Sequence, residues 1–101
     1  MSNAVYYVSF KLKKSANVDD FLAASKVLND EFISKQPGYI SWEQVRDGDT
    51  WADFLRFETK SDLEKFKEIS KEPSEIAKKF YSFMNPFTIK MHLFEVEKSH
   101  E

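Results

Sequence analysis

The chain predicts an α+β domain of order βαββαβ, and three observations carry that expectation. Four stretches alternate large apolar residues with the strand period of two, two longer stretches repeat them at helical spacing, and the only two glycines stand at turns between elements. In the first strand Tyr6, Val8, Phe10 and Leu12 form one side, and Val5, Tyr7, Ser9 and Lys11 the other. In the last, Phe87, Ile89, Met91 and Leu93 oppose Thr88, Lys90, His92, Phe94 and Val96. Bulky apolar groups thus lie on both sides, whereas two helices cover only one face of a sheet. The second face is expected to meet a partner subunit, a ligand, or both.

Each element has local signals. Val5 to Lys13 is rich in β-branched and aromatic residues at alternating spacing, which predicts the first strand. Asn17 is the expected N-cap of a helix with Asp19 and Asp20 in its first turn, where the helix dipole favours negative charge. Val18, Phe21, Leu22, Leu28, Phe32 and Ile33 then mark an apolar stripe running to Lys35, about five turns. Gln36-Pro37-Gly38 ends it. Tyr39 to Arg46 and Trp51 to Glu58 read as a hairpin around Asp47-Gly48-Asp49-Thr50. A two- or four-residue loop places Ile40, Trp42 and Gln44 on one face with Trp51, Asp53, Leu55 and Phe57. The opposite face receives Tyr39, Ser41, Glu43 and Val45 with Ala52, Phe54, Arg56 and Glu58. Ser61 and Glu64 form a capping box for the second helix, which Pro73 interrupts and Ser74 recaps before Asn85-Pro86. A ferredoxin-like sheet with both helices on one face is the simplest fold of this order.

Composition narrows the classes of function. A chain of 101 residues suits a single domain, here expected over residues 1–101 with its ordered core at 4–98 and frayed ends at Met1–Asn3 and Ser99–Glu101. Its 15 basic and 17 acidic residues are interspersed, giving a net charge of −2 and no field to draw in nucleic acid. The third strand also lacks the glycine and basic surround of an RNA-binding sheet. Cysteine is absent, no apolar run approaches a membrane span, and no secretory leader is recognisable, so a cytoplasmic protein is expected.

The candidate site residues come from the uncovered face. His92 is the only histidine inside the predicted fold and has a side chain suited to a general base. A lone strand histidine also serves structurally, and without a second histidine or a cysteine beside it no metal site is expected. Arg56 and Glu58 share the face of Phe54, where they could bind a polar substituent or form an ion pair between subunits. Tyr7, Tyr39 and Phe94 give that face an aromatic wall, with Ser41 beside them. Trp42 and Trp51 are expected in the core. No Ser-His-Asp constellation, phosphate loop or dinucleotide fingerprint occurs.

The run Gln36-Pro37-Gly38-Tyr39-Ile40-Ser41-Trp42-Glu43, followed by Phe54-Leu55-Arg56-Phe57-Glu58-Thr59, resembles the antibiotic-biosynthesis-monooxygenase-like dimeric α+β barrel proteins. Phe80 to Pro86 and Ile89 to Phe94 are similar to members of undefined function. The resemblance implies a homodimer with a small-molecule pocket, either between sheet and helices or in the barrel lumen. It further implies cofactor-independent oxygenation of a small aromatic or quinol-like substrate. On that reading His92 or Tyr7 assists proton removal, Arg56 stabilises the oxyanion, and Phe54 and Phe94 position the ring, with Tyr39, Ser41 and Glu58 as further contacts. The haem-degrading members carry an axial histidine on the second helix, and residues 63–84 contain none, so no haem and no other cofactor is expected. The alternative is a non-catalytic ligand-binding or structural homodimer.

Overall fold

The computed structural model describes residues 3–100. Strand β1 (Ala4–Phe10) is followed by helix α1 (Val18–Glu31) and the hairpin of β2 (Tyr39–Asp47) and β3 (Thr50–Phe57). Helices α2 (Lys60–Ile69) and α3 (Glu75–Tyr81) then lead to β4 (Lys90–Glu95). The strands form one four-stranded sheet in the order β2-β3-β1-β4, antiparallel throughout. The fold is therefore the ferredoxin-like α+β arrangement, with the second helical stretch broken in two at the segment containing Pro73.

Local chemistry accounts for most of the boundaries. Asn17 Oδ1 accepts from Asp20 N at 3.0 Å and Ser74 Oγ from Ala77 N at 3.3 Å, capping α1 and α3 as expected. The hairpin closes with Asp47 opposite Thr50, leaving the two-residue turn Gly48-Asp49 with Gly48 at φ +62°. An even loop was required for the predicted pairing. Accordingly, Trp42, Gln44, Trp51, Asp53, Leu55 and Phe57 share the helix side, and Phe54 and Arg56 the outer side.

Four local expectations are corrected. The cap of α2 is Thr59 rather than Ser61: its Oγ1 accepts from Asp62 N at 3.1 Å and donates to Asp62 Oδ2 at 2.9 Å. The first helix breaks at Phe32 (φ −134°, ψ −64°), so Ile33–Lys35 form only a short 3₁₀ turn. Pro86–Thr88 likewise form a 3₁₀ turn, capped by Asn85 Oδ1 on Phe87 N, and this delays β4 to Lys90 and leaves Phe87 95% exposed. Finally, a bulge between Tyr39 and Ser41 leaves Ile40 without a cross-strand partner. Tyr39 thereby moves to the helix side, opposite Phe57, and its hydroxyl donates to Asn29 Oδ1 at 3.1 Å.

The fraying expected at Met1, Ser2 and Glu101 falls outside the described residues. Asn3 is tied down, because its carbonyl accepts from Val96 N at 2.8 Å.

Phe21 of α1 is the hub of the core. Its ring meets Phe10, Trp51, Phe80 and Phe83 at centroid distances of 5.8, 5.3, 5.3 and 5.9 Å, joining β1, β3, α3 and the segment after α3. Burying such a ring contributes on the order of 2–3 kcal/mol.

Gly38 fixes the entry to β2. It adopts φ +81°, its carbonyl accepts from Glu58 N at 2.8 Å, and an added Cβ would overlap the Asp62 carboxylate. The Gly38→Ala variant should therefore lose about 2–4 kcal/mol in urea unfolding, combining left-handed strain with displacement of Asp62. An unchanged midpoint would mean that the Asp62 cap can step aside freely.

Candidate functional site

Two short helices separated by the Ser70–Ser74 segment do not fill the space above β1 and β4. A cavity of about 370 Å³ remains between the helix side of the sheet and α1, α2 and α3. Trp42, Asp53 and Leu55 line it from the sheet, Phe66 and Phe80 from α2 and α3, and Met84 from the segment after α3. Tyr6, Val8 and Ile89 continue the wall towards the opening, where Lys67, Lys71 and Met91 are exposed. A smaller cavity of about 80 Å³ between α2 and α3 shares Phe66, Ser70 and Tyr81 with it.

Asp53 is the chemically distinctive group in this lining. Strand alternation turns it inward between Trp51 and Leu55, opposite Val8 of β1 and Gln44 of β2. It is 6% exposed, and its Oδ1 is buried without a hydrogen-bond partner. Loss of hydration pushes its pKa up to about 7, and the nearby polar N–H groups of Trp42 and Gln44 oppose the rise. Gln44 is itself held in place by α1, since its Nε2 donates to Ser25 Oγ at 3.0 Å.

The tyrosines of the cavity are weak acids. Tyr81 is pushed up to about 12 by desolvation, with the negative ends of Tyr6 and Asp53 adding to the effect. The residue as a whole is 44% exposed, and it lines the cavity with Tyr6 and Asp53. Tyr6 is raised by burial, and its hydroxyl donates to Met91 Sδ at 2.8 Å. The cavity thus combines an apolar wall, one carboxyl poised near neutrality and phenols that remain protonated. Among the described residues, no three His, Cys, Asp or Glu side chains gather as a metal-binding group.

The residues singled out from the sequence lie elsewhere. Tyr7, Phe54, His92 and Phe94 do come together, but on the outer face: Tyr7 is 5.3 Å from Phe54 and 6.4 Å from both His92 and Phe94, and His92 stacks on Phe94 at 5.5 Å. Arg56 and Ser41 are paired across β2 and β3 on that same face. Glu58 lies just beyond β3 and is exposed. Tyr39 belongs to the helix side for the reason given above. None of His92, Arg56, Tyr7, Phe54, Phe94, Tyr39, Ser41 or Glu58 lines the cavity.

Sequence reasoning put Asp53 on the helix-facing side but did not single it out. The available signal was a lone carboxylate at an inward position of an otherwise apolar strand face.

The sequence matches no protein-family profile, and no curated protein matches it. Solved structures do. SnoaB, a cofactor-independent oxygenase from Streptomyces nogalater, superposes with a TM-score of 0.74 at 12% identity, over 98% of this chain and 97% of that one. The monooxygenase ActVA-Orf6 of Streptomyces coelicolor, solved in complex with nanaomycin D, gives 0.74 at 14% identity over 99% and 92%. A dimeric ferredoxin-like protein from an uncultured marine organism gives 0.65 at 14% identity over 100% and 93%. This chain has the fold of the antibiotic-biosynthesis-monooxygenase-like proteins. No helix among the described residues is long and apolar enough to cross a membrane.

Proposed function

We propose that the protein is a cofactor-independent monooxygenase of a flat, quinol-like aromatic substrate, bound between sheet and helices with Asp53 as its general base. The observation that carries this reading is the buried, unpartnered Oδ1 of Asp53 in the wall of an apolar cavity. A volume of about 370 Å³ is at the small end of the roughly 300–1,000 Å³ typical of ligand sites, which suits about two or three fused rings.

Chemically, Asp53 takes a proton from an acidic ring C–H or O–H, leaving a delocalised anion. The anion passes one electron to O₂, and the two radicals combine as a peroxide anion on a ring carbon, which takes back the proton held by Asp53 to become the hydroperoxide. Where that carbon still bears hydrogen, loss of water leaves a new carbonyl. One oxygen atom is retained in the product and the other leaves as water, with the substrate itself supplying the electrons. Tyr81, which stays protonated, can donate a hydrogen bond to the developing oxyanion.

The same proposal takes the chain to be a homodimer. Phe54 and Phe94 are 38% and 51% exposed on the outer sheet face, around Tyr7 and His92. A face of this kind suits a second copy of the chain. His92, Arg56 and Tyr7 would then serve the subunit interface instead of proton transfer.

An oxygen electrode tests the activity. Oxygen uptake with electron-rich phenols and hydroquinones should exceed the uncatalysed background without added metal, flavin or nicotinamide, and should survive a chelator. Because the base must be ionised, kcat/KM should rise as pH passes through about 7. Uptake at background across the panel would favour a binding protein.

A further inference from the structure

The polar groups at the opening of the cavity differ in sign from the one at its inner end. Lys67, near the end of α2, and Lys71, in the turn that follows it, both line the cavity with exposed side chains, while Asp53 is buried in the wall. The Lys67 ammonium lies 5.6 Å from the centroid of the Tyr6 ring, which itself forms part of the cavity wall. Among the described residues Lys67 has no carboxylate within ion-pair distance, whereas Lys71 pairs with Glu68 at 3.1 Å. Glu72 faces only the smaller adjoining cavity. The opening thus presents an unneutralised cation on a chain whose net charge is −2.

Resting on the reading of this cavity as a substrate site, we infer that it takes aromatic acids, with an anionic substituent held at the opening by Lys67 and the ring directed inward towards Asp53. The geometry gives such a ligand one orientation. A carboxylate reaching Asp53 would place two acidic groups together away from water, whereas at Lys67 it meets a cation beside solvent. The aromatic ring then fills the apolar part of the cavity among Val8, Leu55, Phe66 and Ile89. Lys71, already shared with Glu68, makes a smaller contribution.

The test reads binding alone, so absence of turnover in oxygen assays bears on the oxygenase reading and not on this one. Titration of 2-naphthoate and its neutral counterpart 2-naphthamide at pH 7.5 should show the acid binding roughly tenfold tighter, a preference that shrinks with added salt. Lys67→Met keeps the apolar stem and should abolish the preference while retaining naphthamide affinity. Lys67→Glu should invert it. Equal affinity of the two probes for the wild-type protein, a preference unchanged in Lys67→Met, or no binding of either probe would overturn the inference.

Discussion

Asp53→Asn should lower oxygen uptake by roughly 100-fold or more, the usual contribution of a positioned general base, while making the protein more stable at alkaline pH. The two effects share one cause. A carboxyl held at about 7 in the folded chain, against an ordinary value of 3.8, binds its proton more tightly in the fold than in the unfolded state. Below about pH 4 both states are protonated, and the substitution should change stability little. Between about 4 and 7 the unfolded chain ionises first, so wild-type stability falls as pH rises, by up to roughly 4 kcal/mol. Above 7 both states are ionised and the loss is constant. Asn carries no charge but brings an amide donor to the place of the orphaned Oδ1, so a net gain of about 1–3 kcal/mol at pH 8 is expected. That corresponds to a melting temperature several degrees higher. Scans at pH 4 and pH 8 on both proteins decide it: a variant that is inactive yet no more stable at pH 8 would mean that Asp53 is not desolvated as described.

Replacing Phe54 and Phe94 together by Glu should leave a folded monomer. Both side chains project from the outer sheet face, away from the Phe21 core, so the monomer loses little packing. In a face-to-face dimer the same changes place two carboxylates from each subunit in an apolar contact without counterions, a penalty of several kcal/mol. Light scattering coupled to size exclusion at micromolar concentration should therefore read a dimer for the wild type and a monomer for the variant. Circular dichroism should be unchanged. A wild-type monomer in this experiment would remove the dimer from the proposal.

Local rules carried the fold a long way. The order βαββαβ, the caps at Asn17 and Ser74 and the hairpin parity all depend on interactions within a few residues of sequence. The corrections occur where a choice was locally close. Thr59 and Ser61 are both competent caps, and the end of β3 at Phe57 favours the earlier one. Tyr39 could enter β2 with either parity, and the extra residue Ile40 decided which way it points.

The site was less legible, for a physical reason. Alternation by itself determined which side chains share a face, and so grouped Tyr7, Phe54, His92 and Phe94 correctly and turned Asp53 inward with Leu55. It carried no information about which face encloses empty space. A cavity is the volume left when α1, α2, α3 and the sheet have packed as closely as their side chains allow, and its walls come from residues as far apart in the chain as Tyr6 and Met91. Desolvation of Asp53 depends on the same packing. Only the tertiary structure, by closing those elements over it, turned an ordinary aspartate into a carboxyl poised near neutral pH.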